Sequence, residues 1–136
     1  MKPGHRHLEH TADLRLELWA DTEEALLAEA ARAVVSALTE GARIEPKVER
    51  HVQLASSDPE DRLIRWMNEI IYLAVTRGFL VAEADVTVTP EGLDARLSGE
   101  EGAWHRVRTE LKAATWHELT LVREGGRLVA RVVVDV

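Results

Sequence analysis

Apolar and polar residues alternate in several short stretches of the chain, and a period of two is typical of strands with one buried face. The first stretch begins at Leu14, and Leu16 and Leu18 follow it at alternate positions. Between the last two stretches, Glu124-Gly125-Gly126 is a strong hairpin signal. The other predicted strands cover residues 48–55, 79–82, 85–89, 93–98, 113–122 and 127–135.

Two longer segments repeat their apolar residues every three to four positions, which predicts amphipathic helices. The first follows a capping-box pattern of Asp21 and Glu24, and we expect Gly41 to be the left-handed residue that ends it. The second follows Ser57-Asp58-Pro59-Glu60, where a cap residue precedes a proline, and Gly78 ends it. Two main helices packed on a mainly antiparallel sheet predict one α+β domain covering the 136 residues.

The composition narrows the class of protein. The chain has 24 Asp and Glu residues against 17 Lys and Arg residues, and its net charge of −7 opposes direct binding to nucleic acid. That charge permits a basic protein partner or a metal site. No cysteine is present, which excludes disulfides and thiolate metal sites. We predict a cytoplasmic protein without membrane association, because the sequence shows neither a signal peptide nor an apolar run of bilayer-spanning length.

The last predicted strand ends in two acids. Val132, Val133 and Val134 lead directly to the Asp135 side chain and to the terminal carboxylate of Val136. An ordered end that carries two carboxylates offers oxygen ligands for a hard divalent cation. The alternative is a sheet strand that simply ends in an acid, and the pattern by itself favours that alternative.

Two further clusters carry polar chemistry. His10-Thr11-Ala12-Asp13 precedes the first predicted strand and could present Asp13 as a ligand, although Asp and Thr also stabilise turns. In Lys112-Ala113-Ala114-Thr115-Trp116-His117, strand alternation places Lys112 on one face and His117 on the other. A solvated lysine and a surface histidine are the alternative at these positions.

Three further features of the sequence are compatible with more than one role. Asn68-Glu69 borders the apolar stripe of the second helix, where a carboxylate could reach a site beside the helix or lie on an exposed rim. Trp19 and Trp116 are predicted to face solvent, which suits either an interaction surface or packing under arginine side chains. Gly99-Glu100 is compatible with a bulge, a turn or a close approach to a ligand.

Taken together, these motifs resemble the archease family. The matching segments occur in the family's order along the whole chain: His10-Thr11-Ala12-Asp13, Asn68-Glu69-Ile70-Ile71-Tyr72-Leu73, Gly99-Glu100, Lys112-Ala113-Ala114-Thr115-Trp116-His117 and Asp135-Val136.

The resemblance implies a function and a set of site residues. It implies a non-catalytic protein cofactor of the RtcB-type RNA-splicing ligase, which promotes guanylylation of the ligase by GTP and multiple turnover in tRNA splicing, tRNA processing or RNA repair. It also implies a divalent-cation site, with Ca²⁺ as the usual ion and Mg²⁺ as the alternative, held by Asp13, Asp135 and the Val136 carboxylate. Lys112 resembles the family's functional lysine, and Glu69 and His117 are further candidates for activating the partner.

The sequence departs from the family's pattern in two places. Leu14-Arg15 follow Asp13, where family members often have a small or β-branched residue, and Trp116 replaces a tyrosine and lacks its hydroxyl. Two other functions remain open. One is a chaperone or modulator of a tRNA-modification enzyme such as a tRNA methyltransferase. The other is a metal-dependent hydrolase, for which the sequence offers no nucleophile or paired general base.

Overall fold

The computed structural model describes residues 2–8 and 13–136 of the chain. These residues form seven strands and two α-helices. In chain order, the elements are β1 (Gly4–Leu8), β2 (Leu14–Ala20), α1 (Glu23–Thr39), β3 (Val48–Ala55), α2 (Pro59–Arg77), β4 (Leu80–Thr89), β5 (Gly92–Glu100), a 3₁₀ turn (Trp104–Arg106), β6 (Ala113–Glu124) and β7 (Arg127–Asp135).

The predicted α+β fold is confirmed, and its strands are divided between two antiparallel sheets. One sheet has the order β1-β2-β7-β6, and the other has the order β3-β5-β4. Helix α1 packs on β2 and β4, and therefore touches both sheets, while α2 packs on α1 and β6. The core lies between these layers. Neither helix in the described part of the chain has the length and apolar character needed to cross a bilayer.

Both helices form where the periodicity predicts them. Gly78 ends α2 as predicted, with a left-handed backbone, whereas both end residues of α1 differ from the prediction. Thr22, rather than Asp21, caps α1, and its hydroxyl accepts a hydrogen bond from the Ala25 amide at 3.1 Å. The left-handed C-cap of α1 is Glu40, one residue before the predicted Gly41. Asp58 caps α2 by accepting from the Asp61 amide at 2.8 Å.

The strand predictions miss one strand, β1, and divide another, β4, into two. β1 was not predicted, because its Gly4–Leu8 sequence has no alternation of apolar residues, yet it pairs with β2 along its whole length. The two strands predicted at 79–82 and 85–89 form the single strand β4, with a register irregularity between Val81 and Glu83. Opposite that irregularity, a Cβ on Gly99 would lie 1.9 Å from the Leu80 carbonyl oxygen, so Gly99 allows a close approach of two backbones.

The tryptophans take different environments. The arginine-packing alternative is confirmed for Trp19, because the Arg6 and Arg127 guanidiniums lie 4.8 and 5.3 Å from its ring centroid. Trp116 is 54% exposed and faces solvent as predicted. Trp66 is completely buried, and its indole N–H donates to the Leu27 carbonyl at 2.7 Å.

Candidate functional site

The end of β7 lies between the start of β2 and the start of β6. Leu14 of β2 pairs with Val134, so that Asp13, the residue before Leu14, lies beside Asp135. On the other side, Asp135 pairs with Ala113, and its carbonyl oxygen accepts a hydrogen bond from the Lys112 amide at 2.8 Å. Three segments that are far apart in sequence therefore meet at this edge of the sheet.

This convergence brings together three of the predicted site residues through their backbones. Asp13 is partly buried, while Asp135 and Lys112 are exposed. His10 and Thr11 of the first motif lie outside the described residues. Val136, which follows Asp135 directly, is 47% exposed.

The Asp13 side chain lies next to Arg15, two residues along β2. Arg15 Nε is 3.7 Å from Asp13 Oδ1, and its Nη1 donates to Glu118 Oε2 at 2.5 Å. The Asp13 and Arg15 side chains are 17% and 27% exposed, so solvent screens their attraction only in part. One guanidinium therefore interacts with a carboxylate on each side.

The middle of β6 is irregular, and this changes the predicted arrangement of His117. The register between β6 and β7 shifts between Thr115 and Thr120, and Glu118 has a left-handed backbone with φ of 54°. Strict alternation from Lys112 therefore does not extend to His117. The His117 ring is exposed, and its Nε2 lies 3.5 Å from Glu118 Oε1.

Helix α2 is fastened to the same end of β6 by Asn68. Its Oδ1 accepts from the Ala114 amide at 2.7 Å, and its Nδ2 donates to the Ala114 carbonyl at 3.2 Å. Glu69 is half-buried at the edge of the apolar stripe, and is therefore less exposed than the predicted rim position. The helix rim and the strand start are thus held side by side, one residue from the pairing of Ala113 with Asp135.

The donor set at this edge fits a hard cation. Asp13 and Asp135 supply carboxylate oxygens from adjacent strands, and oxygen donors are what Ca²⁺ and Mg²⁺ prefer. No group of three or more His, Asp and Glu side chains is gathered for a metal ion within residues 2–8 and 13–136. Further ligands would therefore come from carbonyl oxygens, water or the carboxylate of Val136.

Glu100, by contrast, has a structural role. It is 8% exposed, accepts a hydrogen bond from the Glu45 amide at 2.9 Å and lies 3.2 Å from Arg106 Nε. These contacts fasten the loop before β3 and the 3₁₀ turn to the end of β5.

The interactions of Arg15 and Glu118 were not predicted. Arg15 appears in the sequence only as the polar half of an alternating strand, and Glu118 lies in a stretch predicted to be regular. The two residues are 103 positions apart, and no local sequence pattern indicates that they are in contact. The departure at Leu14-Arg15 was the one signal that pointed to this position.

Residues 5–136 match the sequence profile of the Archease protein family. The chain is 37% identical over 134 residues to Protein archease of Methanopyrus kandleri, which covers 94% of this chain and 96% of that protein. It is 32% identical over 135 residues to Protein archease of Archaeoglobus fulgidus, covering 97% of this chain and 98% of that protein.

Two solved structures share the fold. The solution structure of Methanobacterium thermoautotrophicum protein 1598 aligns over 100% of both chains with a TM-score of 0.76 and 26% identity. The crystal structure of a Thermotoga maritima archease, described as a possible chaperone, aligns over 95% of this chain and 94% of that chain, with a TM-score of 0.68 and 24% identity.

Proposed function

This chain belongs to the archease family, and from that premise we propose that it is a non-catalytic protein cofactor of an RtcB-type RNA ligase. In this role it promotes guanylylation of the ligase by GTP and allows multiple turnover in tRNA splicing or RNA repair. The observation that carries the proposal is the β2–β7 register, which supports a shared site for Asp13 and Asp135.

The site would use a divalent cation, Ca²⁺ or Mg²⁺, held by Asp13, Asp135 and the carboxylate of Val136. Such an ion would neutralise carboxylates that otherwise repel one another. Lys112 fixes the backbone of Asp135 through its amide, and its side chain is exposed.

The neighbouring exposed groups are the candidates for contact with the ligase. Glu69 lies on α2 and His117 on β6, the two elements that Asn68 joins, and Lys112 directly precedes β6. Trp116 adds a large apolar surface. A cation, an ammonium group and an exposed indole in one region suit a protein surface of mixed charge with an apolar pocket.

The test is a ligation assay with the cognate ligase, GTP and a broken RNA, with this protein at substoichiometric amounts. Wild type should increase both turnover and the amount of guanylylated ligase. Asp13→Asn and Asp135→Asn should lose most of this stimulation and retain the fold, as judged by circular dichroism. A short extension after Val136 should also weaken stimulation, because it removes the carboxylate at that position.

A matched control for these variants is Asp85→Asn. Asp85 is an exposed aspartate on β4 of the other sheet, and its replacement makes the same change in charge and size. Stimulation by Asp13→Asn and Asp135→Asn at the level of Asp85→Asn would rule out the carboxylate site as the active feature.

A second candidate is a chaperone for a tRNA-modification enzyme, such as a tRNA methyltransferase. It is favoured by the description of the Thermotoga maritima archease as a possible chaperone. Suppression of aggregation of an unrelated client protein distinguishes the two functions, because a ligase cofactor should have no effect on that client.

A further inference from the structure

The Arg15 guanidinium is in ion-pair contact with both a candidate cation ligand, Asp13, and Glu118 on β6. From this arrangement we propose that Arg15 is a built-in counter-cation that competes with the divalent ion for Asp13. In the same proposal, Glu118 is a positioning residue that weakens this competition by holding part of the guanidinium. The inference rests on the proposed function, because it assumes that a divalent cation binds at Asp13.

The two contacts of Arg15 differ in a way that suits exchange. The 3.7 Å separation from Asp13 Oδ1 exceeds a hydrogen-bond distance, whereas Arg15 Nη1 donates a charge-assisted hydrogen bond to Glu118 Oε2. A divalent ion can therefore displace Arg15 from Asp13 without leaving the guanidinium unpaired. Glu118 remains its partner in both states.

The backbone of β6 supports a specific role for Glu118. A left-handed conformation costs a residue with a Cβ about 1 to 2 kcal/mol, and Glu118 adopts it with φ of 54°. Strand β7 lies between β2 and β6, so the contact spans two strand spacings of about 5 Å each. Only long side chains bridge that gap, which explains why arginine and glutamate meet there.

The competition predicts opposite effects for the two partners. Removing Arg15 removes the positive charge beside Asp13, so the cation should bind more tightly. Removing the Glu118 charge lets the Arg15 guanidinium interact more strongly with Asp13, so the cation should bind more weakly. Because Glu118 acts through Arg15, its effect should disappear when Arg15 is absent.

Calorimetric titration of the full chain with CaCl₂, and separately with MgCl₂, tests this prediction. The variants are Arg15→Gln, Glu118→Gln, the double variant and Arg15→Lys, which keeps the charge. Arg15→Gln should lower the dissociation constant of the cation by up to about fivefold, because a partly exposed ion pair contributes at most about 1 kcal/mol. Glu118→Gln should weaken binding by about twofold in wild type and have no effect in the Arg15→Gln background. Arg15→Lys should remain close to wild type.

The matched control is Arg131→Gln on β7. Arg131 lies on the same outward face as Arg15, because it pairs with Glu17, but it is four residues or about 13 Å from Asp135. Equal tightening by Arg131→Gln and Arg15→Gln would overturn the proposal, because the effect would then come from net charge. Unchanged binding in Arg15→Gln, with binding lost in Asp135→Asn, would overturn the role of Arg15 and leave the cation site standing.

Ligase stimulation, measured on the same samples, separates this inference from the proposed function. If neither wild type nor Arg15→Gln binds either cation, the role of Arg15 is refuted together with the cation site. Stimulation by wild type would then still support a ligase cofactor that works without the ion.

Discussion

Asn68 and Ala114 are joined by two hydrogen bonds between the side-chain amide of a helix residue and the backbone of an edge strand. The amide donates and accepts in the same way that a neighbouring strand would. Ala114 pairs with Val134 on its other side, so this contact continues the sheet onto α2. The position of Glu69 relative to Lys112 therefore depends on Asn68.

Replacement of Asn68 should loosen α2 from β6. In Asn68→Asp, the second oxygen faces the Ala114 carbonyl and cannot donate, so we expect a loss of about 1 to 3 kcal/mol in the free energy of unfolding. Asn68→Ala removes both bonds and should lose a similar amount. Urea denaturation measures the change. An unaltered midpoint in both variants would show that the contact contributes no stability.

A second buried contact makes the stability depend on pH. Glu29 of α1 accepts hydrogen bonds from His5 of β1 and from Arg32, whose Nη2 lies 2.9 Å from Oε1. Burial by itself raises the pKa of Glu29, but the hydrogen bonds with His5 and Arg32 outweigh burial and lower this pKa below its ordinary 4.5. The ionised carboxylate thus fastens β1 to α1.

Because the pKa of Glu29 is lower in the folded chain than in the unfolded chain, ionised Glu29 stabilises the fold fully above pH 4.5. This contribution is lost as the pH falls from the unfolded pKa through the folded pKa. Glu29→Gln should therefore be less stable than wild type at pH 7, and the difference should shrink on acidification. Urea denaturation between pH 7 and pH 3 provides the comparison. A difference that stays constant with pH would contradict the assigned role.

Arg32→Gln serves as a partial version of the same change. It removes one of the two partners of Glu29 and leaves His5 in place. Its loss of stability should be smaller than that of Glu29→Gln and should fade over the same acidic range.

The C-cap of α1 offers a stabilising change. Glu40 has φ of 55° and ψ of 42°, is exposed, and places a negative charge at the negative end of the helix dipole. Glu40→Gly removes the steric strain of the left-handed backbone and should raise the free energy of unfolding by about 0.5 to 1 kcal/mol. Glu40→Gln removes only the charge and should gain less. A lower melting temperature for Glu40→Gly than for wild type would contradict this.

Local signals predicted the elements, because periodicity and caps depend on neighbours in sequence. The apolar repeat predicted the extent of α1 but not that Glu40 would be its C-cap. Glu40 and Gly41 both have positive φ, and the sequence pattern favours the glycine for that position. β1 was not predicted because its stability comes from pairing with β2 and from the contact of His5 with Glu29. Such partners are distant in sequence and leave no local pattern.

The candidate site was predictable only in part for the same reason. The acids at Asp13 and Asp135 could be singled out by their positions at strand ends and by the resemblance of their motifs to a family. Their juxtaposition depends on the β2–β7 register. The contact between Arg15 and Glu118 requires, in addition, an irregular β6, which alternation does not reveal.

Trp116 is the strongest candidate for an apolar anchor toward the proposed partner. It is 54% exposed and lies on the edge strand β6 between Thr115 and His117, where the irregular segment begins. Exposed tryptophans at the centre of an interface often contribute more than 2 kcal/mol of binding free energy, roughly thirtyfold in affinity. A tyrosine at this position retains most of the apolar area.

Trp116→Ala should therefore raise the concentration of this protein needed for half-maximal ligase stimulation by roughly tenfold or more, without changing the melting temperature. Trp116→Tyr should stay near wild type, because its ring still fills an apolar pocket. Val122→Ala is the control, since Val122 is 43% exposed on the same strand but near its far end. If Trp116→Ala and Val122→Ala stimulate the ligase equally well, the partner does not bind this end of β6, and the contact surface must be sought on another face.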